Sequence, residues 1–170
     1  MKEAVSFRIR KSSIYDKKSN SPFKISRSKF FKEYVSKYKT GIDQSKEAIL
    51  IKSIGFLKNK AKTLEDIWNN AQYILKDAVK IGAEDKKLID DLSKTIIKEF
   101  IVEYEKLSSL SKETLEPVIK SLIDKHKTNF KGVGQPLRIA LVGSRFGPGL
   151  YDVILSLDKT EIIKRLNNIK

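Results

Sequence analysis

The side chains best suited to chemistry fall in one stretch. It runs Gln135-Pro136-Leu137-Arg138-Ile139-Ala140-Leu141-Val142-Gly143-Ser144, and on through Arg145-Phe146-Gly147-Pro148-Gly149-Leu150-Tyr151-Asp152-Val153-Ile154. The chemistry they suit is recognition rather than bond breaking. Arg138 and Arg145 each offer a planar fork that donates in pairs to base acceptors, which lysine cannot match. The basic residues of this chain are otherwise overwhelmingly lysine, so two arginines here stand out. Phe146, Leu150 and Tyr151 offer surfaces on which unstacked RNA bases can lie. Ser144 sits between the forks in a glycine-bounded loop. On spacing alone the plainer reading is preferred: an ordinary helix–loop–helix corner in which the glycines only turn the chain.

Other chemistries find no support in the residues. The carboxylates are scattered among lysines, as on solvated helix faces. Asp90 and Asp91 are adjacent, but neighbours on a helix point apart. His126 is the one histidine; flanked by Lys125 and Lys127 at an expected helix end, it suits a dipole partner better than a base or ligand. The chain has no cysteine, which removes disulfides and thiolate metal sites. Gly147-Pro148-Gly149 lacks the Gly-Lys-Ser/Thr that would complete a phosphate-binding loop. No catalytic residue, metal site or cofactor site is expected in these residues.

The elements that must carry the recognition stretch are helices. Pro136 and Pro148 each precede an apolar run, where a first helical turn tolerates the missing N–H. This predicts a short helix over Pro136–Val142, a loop from Gly143 to Gly147, and a second helix from near Pro148. Earlier, Phe30, Phe31, Tyr34, Val35 and Tyr38 fall at helical spacing, with Gly41 as the stop. A helix from Gln44 to about Lys60 follows, its stripe being Ala48, Leu50 (or Ile51), Ile54 and Leu57; Gly55 inside it suggests a close helix contact. Thr63 and Asp66 make a capping box for a helix whose inner face is Leu64, Ile67, Trp68, Ala71, Ile74 and Leu75, with Trp68 in the core.

Beyond Gly82 the longest helix is expected from about Glu84 to Leu107, with Leu88, Leu92, Ile96, Phe100, Tyr104 and Leu107 on one face. Thr114 is the expected N-cap of the next helix. Pro117 would then lie in its first turn, and Val118, Leu122 and Ile123 would be buried. Asn129 to Gly134 reads as a linker. Asp158 and Glu161 read as a capping box for a last helix holding Ile162, Ile163 and Leu166. Residues 1–28 carry sparse apolar points and turn chemistry around Ser19-Asn20-Ser21-Pro22, with some strand character at Val5–Ile9. The pattern gives an all-α fold of two consecutive helical subdomains, 29–82 and 83–170, behind an irregular tail.

With 170 residues, 40% of them hydrophobic, the chain can bury a real core. Its formal net charge is +14, which points to a polyanionic partner: RNA, DNA or an anionic membrane. Part of that charge is also explained by a lysine-rich genome habit. No apolar run approaches a membrane span and no signal peptide is evident, so a cytoplasmic protein is expected.

The order Q-P-L-R-I-A-L-V-G-S, a short loop, then G-P-G-L-Y-D-V-I resembles the C-terminal anticodon-binding region of bacterial glutamyl-tRNA synthetases. The resemblance covers roughly residues 30–170. It is strong from Gln135 and moderate at Lys58-Asn59-Lys60-Ala61-Lys62-Thr63-Leu64. It implies that Arg138 and Leu150 approach the first anticodon base; Ser144 and Arg145 are expected as further anticodon-binding residues from the loop itself. It also implies that Lys60 stands where family members selective for tRNA(Glu) place an arginine against the third base. A lysine there is a point charge rather than a fork. One reading is relaxed selectivity, with tRNA(Gln) charged as well; a plain surface lysine carries equal weight. The resemblance further implies a monomeric partner of tRNA(Glu). It places glutamate activation with ATP and magnesium in a catalytic domain outside this chain. Lys24-Ile25-Ser26-Arg27-Ser28 looks like the K-M-S-K-S signature of such domains, but the spacing and the missing H-I-G-H partner argue for a basic tail. The alternatives are a free-standing basic helical RNA binder without charging activity and a helical interaction scaffold.

Overall fold

A computed structural model describes residue 31, residues 33–36, residue 39 and residues 42–169; the Lys60 side chain lies outside that description. The expectations for residues 1–28, including Val5–Ile9 and Lys24–Ser28, and those for Phe30, Tyr38 and Gly41 fall outside the described residues. The described residues form helices and connecting turns, with no strand among them, so the all-α expectation holds. The contacts divide the chain between Leu75 and Lys76.

In the first unit, α1 is helical at 31 and 33–36 and buries Phe31 and Val35. Helix α2 (Gln44–Leu57) starts where the Asp43 carboxylate accepts from the Ser45 N–H at 2.7 Å, and it runs into the 3-10 turn Lys58–Lys60. Its buried face is Leu50, Ser53, Ile54 and Leu57. Ala48 is exposed, and so is Gly55, where an added Cβ would meet nothing within 4 Å; the expected close contact at Gly55 is absent. The Thr63–Asp66 capping box forms as expected, with reciprocal bonds of 3.0 and 2.9 Å, and opens α3 (Leu64–Asn70). Ala71 ends α3, and α4 (Gln72–Leu75) follows. Trp68 is only half-buried, its ring 5.2 Å from the Lys39 Nζ, and Tyr73 takes the core place instead.

In the second unit, the long helix expected from Glu84 is broken. Helix α5 (Ala83–Lys86) is a single turn, and α6 (Asp91–Lys106) begins afresh where the Asp90 carboxylate accepts from the Ser93 N–H at 2.7 Å. Asp90 competes for that backbone donor as N-cap residues do. The break rotates the face, leaving Leu88 and Leu92 37% and 47% exposed, while Ile96, Ile97, Phe100 and Tyr104 form the core. Helix α7 (Lys112–Lys125) is capped by Ser111, not Thr114: the two hydroxyls bond each other's backbone N–H reciprocally, at 3.3 and 3.0 Å. Pro117 therefore lies inside the helix, and the buried residues are Leu115, Ile119 and Leu122, with Val118 and Ile123 partly exposed. His126 ends α7 as expected, with its Nε2 2.8 Å from Glu99 Oε2.

Helix α8 (Phe130–Val142) is the core of this unit and packs on α6, α7, α9 (Leu150–Ser156) and α10 (Lys159–Asn167). The segment from Asn129 to Gly134 is not a linker: the Asn129 side chain accepts from the Gly132 N–H at 3.0 Å and starts the helix there, so Pro136 sits in its interior. Val133, Leu137, Ile139 and Leu141 are essentially inaccessible. Each such side chain contributes about 1.5–3 kcal/mol of burial, which outweighs the glycine penalty of about 1 kcal/mol per residue in the first turns. Asp158 precedes α10 without a side-chain cap, and Glu161 turns to Arg165, whose Nε donates to its Oε1 at 2.7 Å. No helix among the described residues is long and apolar enough to cross a membrane.

Candidate nucleic-acid interface

The stretch from Arg138 to Tyr151 takes in the end of α8, the turn at residues 143–149 and the start of α9. Gly143 makes the turn possible. It caps α8 in the left-handed region, φ 85°, and donates to the Ile139 carbonyl at 2.8 Å. The segment just before α5 lies directly beneath it: an added Cβ would sit 2.6 Å from the Lys80 carbonyl oxygen and closer still to Val79 Cγ1. The loop then closes on itself, the Ser144 hydroxyl accepting from the Phe146 N–H at 3.1 Å. Gly149 precedes α9, which starts at Leu150, two residues later than Pro148 suggested.

The two arginines are not equivalent. Arg145 is engaged: its Nε donates to Asp85 Oδ1 at 2.6 Å, and its guanidinium carbon lies 5.6 Å from the Phe146 ring centre. Arg138 is partly buried, with NH1 donating to the Arg145 carbonyl at 3.2 Å and Nε buried without a partner. Burial pulls the Arg138 guanidinium below its ordinary value, although an arginine stays protonated at neutral pH. Among the described residues no hydrogen bond engages its NH2. Phe146, 73% exposed, projects from the loop on the Arg145 side. Leu150 is buried, its Cδ2 3.4 Å from where a Cβ on Gly134 would stand, and so packs α9 onto α8. The Tyr151 ring is 6.0 Å from the Phe130 ring and from Lys112 Nζ.

The loop thus brings Arg138, Ser144, Arg145 and Phe146 together, with Leu150 beneath the surface. Lys60 belongs to the other unit, at the end of the 3-10 turn. Sequence reasoning missed Asp85, which reaches Arg145 from 60 residues away with no local signal. It also missed Arg165. That side chain is 5% exposed and donates to the Leu141 carbonyl at 2.8 Å and the Lys76 carbonyl at 2.9 Å. The arrangement offers hydrogen-bond donors and an aromatic face but no paired acid and base. Among the described residues no group of three or more His, Cys, Asp or Glu is placed to hold a metal ion.

Residues 28–170 match the family of the anticodon binding domain. The chain belongs to that family. Among relatives of the anticodon-binding chain, the glutamate–tRNA ligase of Pelagibacter ubique is 57% identical over 136 residues. That match takes in 80% of this chain and 29% of the relative. Glutamate–tRNA ligase 1 of Bartonella tribocorum is 27% identical over 128 residues, 75% of this chain and 27% of its own length. The crystal structure of a glutamate tRNA ligase from Elizabethkingia meningosepticum, in complex with its amino acid, superposes with a TM-score of 0.70 at 22% identity. It covers 86% of this chain and 28% of that one, and speaks for the fold alone. The anticodon-binding chain therefore spans less than a third of the curated relatives it matches.

Proposed function

We propose that this anticodon-binding chain is the tRNA-gripping part of a glutamate–tRNA ligase. The observation that carries the proposal is the 57% identity to the Pelagibacter ubique ligase across 80% of the chain. In this reading the parent enzyme joins glutamate to tRNA(Glu) with ATP and magnesium, in parts outside these 170 residues, as a monomer in the cytoplasm during translation. The anticodon grip supplies binding energy far from the reacting bond, which helps hold the acceptor end for chemistry. Arg138 acts as the base-reading fork. Phe146 lies under an unpaired base, Ser144 holds the loop, and Leu150 sets the floor beneath the first anticodon base. Lys60 brings a point charge to the position that the family resemblance sets against the third base, so tRNA(Gln) is accepted as a second substrate.

Filter binding of the 170-residue chain tests the grip. Affinity for a tRNA(Glu) transcript should fall steeply with salt and exceed that for an RNA duplex of equal charge. Arg138→Ala should weaken tRNA binding by roughly five- to 150-fold, the range of about 1–3 kcal/mol for one good base contact, with the far-ultraviolet circular dichroism unchanged. Unaltered binding would remove Arg138 from the site. Charging of the two tRNAs by the full-length parent tests the reading of Lys60, and a large preference for tRNA(Glu) would refute it.

A further inference from the structure

Asp85 has no role in the anticodon reading as described, yet it is ion-paired to the recognition loop. Its Oδ1 accepts from Arg145 Nε at 2.6 Å, with the two side chains 15% and 32% exposed. Two things follow. The carboxylate offsets the Arg145 charge that an incoming phosphate would feel. The pair also fixes Arg145 at its side-chain end, while its carbonyl accepts from Arg138 NH1 at 3.2 Å. Asp85, Arg145 and Arg138 thus form one chain of bonds that ends at the partly buried fork. The backbone under the loop is tight as well, with Gly143 against Val79 and Lys80.

Resting on the proposed anticodon grip, we propose that Asp85 is a positioning residue for base recognition. It holds Arg145 as a strut, and the Arg145 carbonyl aims Arg138. Arg145 is then a support rather than a second reader. The opposite arrangement, in which Arg145 meets a phosphate and Asp85 restrains it, predicts effects of opposite sign.

The test uses the 170-residue chain with two RNAs: a tRNA(Glu) transcript and the same transcript with its first anticodon base replaced. Asp85→Asn should lower the ratio of the two affinities about tenfold, the scale of one misdirected base contact. Arg145→Ala deletes outright the bond that Asp85→Asn, still able to accept through its amide oxygen, only discharges, and should lower the ratio at least as far. The double variant should go no further. The salt dependence for the matched tRNA should stay as in the unaltered chain, because no phosphate contact is lost. An Asp85→Asn protein that binds both RNAs more tightly, with a steeper salt dependence, would overturn the strut; an unchanged ratio would do the same. If the unaltered chain cannot tell the two RNAs apart, the anticodon grip itself fails. Asp85 is then judged without RNA by nitrogen-15 NMR of the arginine side chains. Asp85→Asn should accelerate exchange of the Arg138 Nη protons, and an unchanged rate overturns the strut.

Discussion

Glycine-to-alanine changes at two positions should move stability in opposite directions. At Gly143, alanine must adopt φ 85° and ψ 3°, which costs a non-glycine residue about 1–2 kcal/mol. Its Cβ would also stand 2.6 Å from the Lys80 carbonyl oxygen and closer to Val79 Cγ1. Backbone cannot swing aside as a side chain does, and nearby the Lys76 carbonyl is held by Arg165 at 2.9 Å. Overpacking of this kind adds about 1–3 kcal/mol. The sum is about 3 kcal/mol, or a fall of about 10–20 °C in Tm for a unit of this size. At Gly55 the same substitution meets open space on an exposed helical turn. There alanine should stabilise by about 0.5–1 kcal/mol through helix propensity. Thermal melts followed at 222 nm, each variant against the unaltered chain, measure both. A Gly143→Ala protein that melts within about 3 °C of the parent would refute the packing of the loop on residues 79–80.

Burial and its polar partners give two further tests. The Tyr104 hydroxyl is buried without a hydrogen-bond partner, and burial raises its pKa from 10.0 to about 12. Its unfolded-state phenol ionises first, so this group leaves stability flat below pH 10 and erodes it as pH rises from there through about 12. Tyr104→Phe should cost nothing or stabilise by up to about 1 kcal/mol, and should remove a phenol that titrates at about 12 from absorbance at 295 nm. Arg165→Met should cost about 3–5 kcal/mol in urea unfolding, because it strips the donors from the Leu141 and Lys76 carbonyls and leaves Glu161 behind. A loss below about 1 kcal/mol would show that water replaces those bonds.

Where a signal was local, the sequence carried it. The Thr63–Asp66 box and the His126 helix end are visible as residue types at fixed offsets, and both form. The glycine-bounded turn after Val142 is equally local, since only the left-handed cap has to be supplied. Competition between nearby candidates was not resolvable from spacing. Ser111 and Thr114 are both hydroxyls able to cap, and which one leads depends on where α7 docks. Asp158 and Glu161 have the spacing of a box, but Asp158 makes no side-chain cap and Glu161 turns to the buried Arg165. Asp90 broke a hydrophobic stripe that looked continuous, because one side-chain cap outweighed the periodicity around Leu88 and Leu92. At the site, the loop residues were legible together. What was not legible was the support from Asp85, since nothing in the neighbourhood of Arg145 announces a partner 60 residues earlier.

Phe146 carries a consequence for how the protein behaves in a tube. An aromatic ring left 73% in water is a sticky point when no RNA covers it. The +14 charge keeps molecules apart at low ionic strength, but its reach shrinks from about 10 Å at 0.1 M salt to about 3 Å at 1 M. Salt that loosens RNA should therefore bring the rings of separate molecules together. Light scattering would show attraction growing with salt, and Phe146→Ser would abolish that growth.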